Sequence, residues 1–155
     1  MPLTMILNEH IQAPPGRVFA VLTDLDACSK WMPNFVRIEK LTKGSFSKGY
    51  AWRETRRMFG REASEVFEVV GVEPERVVEL FVDGKKGSSK RGWYKFRYEL
   101  HPQGQKTRLD LRGEIGGGGF LMATIGRLFS GAMKKAIAKD LRAMKAHIEG
   151  KSAEA

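Results

Sequence analysis

The feature that most restricts this chain is a change of hydrophobic period at "GGGG", Gly116 to Gly119. From Phe35 to Ile115, apolar residues recur at every second position or stand in β-branched and aromatic runs, and Gly, Pro, Asn or Asp marks most of the breaks. Such stretches form strands with one covered face. Strands are predicted at Phe35 to Leu41, Tyr50 to Met58, Glu62 to Val72, Val77 to Val82, Trp93 to Leu100 and Thr107 to Ile115, with an earlier one at Leu3 to Ile11. The turns between consecutive strands are too short for a parallel crossover, which takes about a dozen residues or more, so the neighbours are antiparallel. Past the glycines, Leu121, Ile125, Leu128, Phe129, Met133, Ile137, Leu141, Met144 and Ile148 recur at three and four. That spacing is one face of a helix of roughly 30 residues, about 45 Å long. The stripe must be buried, and the sheet offers the surface. The expectation is an α+β fold: a seven-stranded curved antiparallel sheet, in meander order, wrapped around a long C-terminal helix.

Between the first two strands, "APPG" stops the ladder and suits a first helical turn. "RVFAVLTDLDACSKW" then supplies Val18, Phe19, Leu22 and Leu25, with Asp24 placed to cap a second short helix ending before "WMPN". At 155 residues the chain is expected to form a single domain, 1–155. No apolar run approaches the roughly 20 residues that span a bilayer, and the start "MPLTMILNEHI" lacks the parts of a signal peptide. A cytoplasmic protein is expected. One cysteine, Cys28, and three separated histidines, His10, His101 and His147, offer no disulfide and no metal-ligand spacing, so no metal site and no cofactor are expected. Acidic neighbours Asp24 and Asp26 would raise the Cys28 pKa.

The order of strand, two short helices, six strands and long helix is joined by three phrases. These are "IQAPPGRVFAVLTDLDACSKWMP", "GYAWRETRRMFGREASEVFEVVGVEPERVVEL" and "LRAMKAHIE". Together they resemble the START-like helix-grip superfamily (SRPBCC), which includes START lipid-transfer domains, birch-pollen-allergen proteins, polyketide cyclases and coenzyme Q-binding proteins. The resemblance covers nearly the whole chain and is closest to the bacterial polyketide cyclase/dehydrase-like or coenzyme Q-binding-like members. It implies a cavity between sheet and helix that holds a largely apolar molecule such as a lipid, quinone or polyketide. Fold alone does not give function, so the residues must carry the rest.

In "RGWYKFRYEL", alternation puts Tyr94, Phe96, Tyr98 and Leu100 on one face and Trp93, Lys95, Arg97 and Glu99 on the other. Leu109, Leu111 and Ile115 similarly oppose Arg108, Asp110, Arg112 and Glu114. The aromatic row therefore points toward the helix. A loose likeness to the RNA-binding sheet motif fails at Tyr94, Lys95 and Phe96, and no specific nucleic-acid partner is expected. "YAWRETRRM" is different: Tyr50, Trp52, Glu54, Arg56 and Met58 share one face, and Ala51, Arg53, Thr55 and Arg57 the other. Neither face is purely apolar, so Glu54 and Arg56 read more easily as surface charges; with Trp52 inward, they would form an ionised pair beside the ligand. Glu65 shares a face with Ala63, Phe67 and Val69, where it could act as a general acid, bind a hydroxyl or join a neighbouring strand in a salt bridge. Trp31 suits a lid, or a plug between helices and sheet.

The leading expectation is a non-catalytic carrier or sensor of a small, mostly hydrophobic molecule. Its ligand-binding residues would be Trp31, Trp52, Phe67, Tyr94, Phe96, Tyr98, Leu109, Leu111, Leu121, Ile125 and Phe129. The first alternative is a polyketide cyclase/dehydrase-type enzyme, with Glu54, Arg56, Glu65, Tyr94 and Tyr98 as catalytic candidates. The second is an interaction module for a ribosome, a chaperone or an anionic membrane, suggested by the formal charge of +9. Lys134, Lys135 and Lys139 on the long helix are the candidates for transient membrane contact. A monomer or weak homodimer is expected.

Overall fold

The computed structural model describes residues 2–117 and 119–151, with side chains at 2–117 and 131–151. Among the described residues there are seven strands: β1 (Leu3–Ile11), β2 (Phe35–Lys40), β3 (Ala51–Met58), β4 (Arg61–Glu73), β5 (Val77–Asp83), β6 (Trp93–Gln103) and β7 (Lys106–Gly116). Helix α1 (Pro15–Thr23) starts with a proline in its first turn, and the 3₁₀ turn Leu25–Lys30 is capped by Asp24, whose Oδ1 accepts from the Asp26 N–H at 3.1 Å. Helix α2 spans Gly119–Ile148.

All seven strands lie in one curved antiparallel sheet of order β1-β7-β6-β5-β4-β3-β2. The last six form the expected meander. β1 departs from it, because α1 and the 3₁₀ turn carry the chain across the sheet, and β1 pairs with β7 instead of β2, from Leu3 opposite Ile115 to Ile11 opposite Thr107. Register shifts between Phe35 and Arg37 and between Val69 and Gly71 mark irregularities that bend the strands and help the sheet curl.

The covered face divides into two apolar groups. Leu100, Leu109 and Leu111 of the sheet pack with Ile11, Val18 of α1, and Leu141, Met144 and Ile148 of α2. Tyr50, Trp52, Val69, Val78 and Leu80 form the second group, and Phe19, Leu22, Phe96 and Tyr98 touch both. The opposite face is a lattice of charges: Arg97 bonds Glu79 at 2.6 Å and Glu99 at 2.7 Å, Arg108 meets Asp110 at 3.3 Å, and Arg112 meets Glu114 at 3.3 Å. One apolar and one charged face is what period-two alternation requires of a sheet covered on one side.

Candidate functional site

β3 determines the site. Trp52 is buried and stacks on Phe67 of β4, with ring centroids 5.4 Å apart and 5° between the planes. Phe46 lies 5.8 Å from Trp52 and 6.3 Å from Tyr50. Strand alternation then carries Glu54 and Arg56 to the covered face. Glu54 is only 8% exposed, so the surface reading of this pair does not hold. The magnitudes explain the choice. Burying Tyr50 and Trp52 is worth about 4–6 kcal/mol each at ~25 cal/mol per Å2, which offsets a desolvation cost of several kcal/mol per ion once the ions are paired.

Arg56 is paired thoroughly. Its Nη1 and Nη2 donate to Asp140 Oδ2 and Oδ1 of α2 at 2.8 and 2.6 Å, and its Nε and Nη2 donate to the Pro33 carbonyl at 3.1 and 2.8 Å. One guanidinium therefore joins β3, the long helix and the segment before β2. Asp140 was not among the sequence candidates. Its signal is faint: it is the one acid between Lys134 and Lys145, and it lies next to Leu141 of the buried stripe.

Glu54 lies beside this pair and, among the described residues, makes no short bond of its own. Oε2 is 3.9 Å from Arg56 Nη1, and Oε1 accepts a long bond from Trp52 Nε1 at 3.5 Å. Asp140 already matches the Arg56 charge, so burial dominates and pushes the Glu54 carboxyl up to about 7, although Arg56 and the Trp52 N–H pull it down. Near neutral pH the group can hold or release a proton.

Tyr98 faces the same cluster. Burial raises its hydroxyl pKa, and the charges of Asp140 and Glu54 raise it further. Cys28 also adjoins, its thiol pushed up to about 12 by burial and then by the Glu54 and Asp24 carboxylates. The direction agrees with the sequence reading, but burial outranks the acidic neighbours. Trp31 packs against the helix-side core, and its Nε1 is buried with no hydrogen-bond partner among the described residues.

A second polar group lies next to the first. Glu65 is directly opposite Glu54 in the β3–β4 register. Its Oε1 accepts from the Ser89 N–H at 2.9 Å and from Ser89 Oγ at 2.5 Å, while Ser89 Oγ is 3.0 Å from Tyr94 Oη. With the single serine proton given to Glu65, the tyrosine is the donor in the second bond. Burial raises the Tyr94 pKa. Glu65 Oε2 is buried and unpartnered among the described residues. Ser89 lies in "DGKKGSSKRG", which the sequence marks only as a turn; the hydrogen bonds come from the way Ser88 and Ser89 fold back over β4.

Of the remaining candidates, Phe96, Tyr98, Leu109 and Leu111 lie on the covered face with α2. Leu121, Ile125 and Phe129 have side chains outside the described residues. Among the described residues, no group of three or more His, Cys, Asp or Glu could hold a metal ion, and no helix is long and apolar enough to cross a membrane.

A curled antiparallel sheet closed over a long C-terminal helix, with two short helical segments after the first strand, defines the START-like helix-grip class. Residues 7–149 match the family described as polyketide cyclase / dehydrase and lipid transport, and the chain belongs to that family. No curated protein matches it in sequence. Among solved structures it is similar to the Zhui aromatase/cyclase from Streptomyces sp. R1128, with a TM-score of 0.79 and 15% identity over 96% of this chain and 94% of that one. A START superfamily protein from Mycobacterium smegmatis gives 0.74 and 14%, over 95% and 97% of the two chains. A conserved protein from Geobacillus kaustophilus gives 0.76 and 17%, over 96% of each. At these identities the likeness is one of fold.

Proposed function

We propose that the covered face, between the sheet and α2, binds a small, mostly apolar molecule, and that Glu54 is its titratable handle. The observation that carries this reading is a carboxyl buried among Trp52, Tyr98 and the Arg56–Asp140 pair, with its pKa pushed up to about 7. Carboxyls held by burial and a neighbouring charge pair at a raised pKa cluster at functional sites, which supports this reading. The stacked Trp52 and Phe67 rings, with Phe96 and Tyr98, supply flat apolar contact. A protonated Glu54 would donate to a ligand carbonyl; an ionised one would accept from a hydroxyl. Affinity for a carbonyl ligand should therefore fall as pH rises through about 7.

The test is to purify the protein natively and examine by mass spectrometry what it releases on denaturation. A stoichiometric lipid, quinone or polyketide-like compound would establish the carrier and name its ligand class. An empty protein that also fails to take up apolar dyes would refute it.

The same carboxyl favours one other reading, an enzyme of the cyclase/dehydrase type. There Glu54 would take a proton next to a substrate carbonyl, and Tyr98 would steady the enolate. Glu54→Gln separates the two: a carrier keeps binding with its pH dependence flattened, whereas an enzyme keeps binding and loses turnover.

A further inference from the structure

The β3–β4 turn contains a residue that folding does not explain. Met58 pairs with Arg61, leaving Phe59 and Gly60 as a two-residue loop with φ of 52° and 77°. Positive φ at both central positions is the geometry for which Asn-Gly is the favoured pair. A phenylalanine in that region carries a backbone cost and normally recovers it by burial. Phe59 is 98% exposed, and Met58 beside it is 49% exposed.

The surroundings of this tip are basic. Arg57 and Arg61 flank it, both exposed. The β5–β6 loop lies at the same end of the sheet and folds over β4, with the Ser88 N–H donating to Ser64 O at 2.7 Å and the Ser64 N–H donating to Ser88 Oγ at 2.8 Å. Ser64 is three residues from Arg61, or about 10 Å along the strand. That loop presents Lys85, Lys86, Lys90 and Arg91, all exposed. Arg57 meets Glu62 at 3.8 Å; among the described residues, Arg61, Lys85, Lys86, Lys90 and Arg91 make no ion pair. The outer face of the sheet differs, since its arginines are matched by acids.

We propose that this end of the molecule docks on a bilayer containing anionic lipids. Phe59 and Met58 would enter the headgroup boundary, and the basic side chains of the hairpin and the β5–β6 loop would lie over the lipid phosphates. An aromatic and a thioether inside a basic rim match the two terms of interfacial binding, apolar burial and attraction to a negative surface. A nucleic acid would use the charges but leave Met58 and the strained Phe59 unexplained. The inference is independent of what the covered face does with its ligand, because it rests on exposed residues at the strand ends and in the loops, none of which belongs to the Glu54 cluster.

The experiment is flotation of the full chain with phosphatidylcholine vesicles, with and without phosphatidylserine, at low and high salt. Wild type is expected to float only with phosphatidylserine and to be released by salt. Phe59→Ser should weaken partitioning roughly tenfold, as should Lys85→Glu with Lys86→Glu, while Phe59→Leu should retain most of it. Phe59 touches little, so the serine variant should melt no lower than wild type. The proposal is overturned by failure to float at low salt, by equal binding to both vesicle types, or by flotation that Phe59→Ser leaves unchanged. It is also overturned if charge reversal at Lys134, Lys135 and Lys139 abolishes binding while the loop variants do not, or if the chain binds only an RNA homopolymer.

Discussion

At the scale of single residues, Glu54 has the clearest consequence. Its carboxyl is raised from 4.5 to about 7 in the folded chain, so between those values the native state keeps a proton that the unfolded state has lost. Stability should therefore be fully present below about pH 4.5, fall as pH climbs toward 7, and level off above it. The loss is about 3 kcal/mol at ~1.4 kcal/mol per pKa unit. Urea midpoints at pH 5 and pH 8 measure it, and Glu54→Gln, which keeps the shape without the titration, should remove most of that difference. The sequence does not reveal this residue's environment. Both faces of "YAWRETRRM" mix apolar and charged side chains, and only the stacking of Trp52 on Phe67, a contact between strands, decides which face is covered. Tyr94, Phe96 and Tyr98 are the opposite case, because a strictly alternating strand states its own facing.

Elements were easier to read than contacts between them. Each predicted strand is present, with ends shifted by a few residues at most, because period two and period 3.6 are properties of local sequence. The Arg56–Asp140 tie between β3 and α2 is not local, since it depends on how far the helix slides along the sheet. Asp140→Asn should lower stability by about 2–3 kcal/mol, somewhat below the 3–5 typical of a fully buried pair, because both partners are about a quarter exposed. It should also lower the Glu54 pKa, as Arg56 would then face Glu54 without its own counterion; Arg56→Gln should raise it. Carbon NMR titration of the Glu54 carboxyl distinguishes the two. In the β5–β6 loop, a Cβ at Gly84 would lie 2.2 Å from the Arg91 carbonyl oxygen, so Gly84→Ala should cost about 1–3 kcal/mol in chemical denaturation. It should also disturb the Ser89 contact with Glu65.

For the whole molecule, the charge of +9 reads differently once the structure is known. The sequence cannot separate arginines answered by acids across the sheet from those left over, since cross-strand partners are far apart in the chain. Arg97, Arg108 and Arg112 are answered; among the described residues, Arg61, Lys85, Lys86, Lys90 and Arg91, at the Phe59 end of the sheet, are not. The placement of β1 was also out of reach, as nothing in "LTMILNEHI" says which strand it will join. Its pairing, Leu3 with Ile115 and Ile11 with Thr107, has a consequence for synthesis. β1 is made about 100 residues before the strand it pairs with: at about 5–20 residues per second it waits roughly 5–20 s on the ribosome for its partner. The meander of neighbouring hairpins can form in the meantime, so docking of β1 should follow the rate-limiting step. Ile11→Val should then speed unfolding and leave the refolding limb of a chevron plot almost unchanged. A nascent chain would carry β1 unpaired while the next hundred or so residues are made, a period in which holdase chaperones have something to hold.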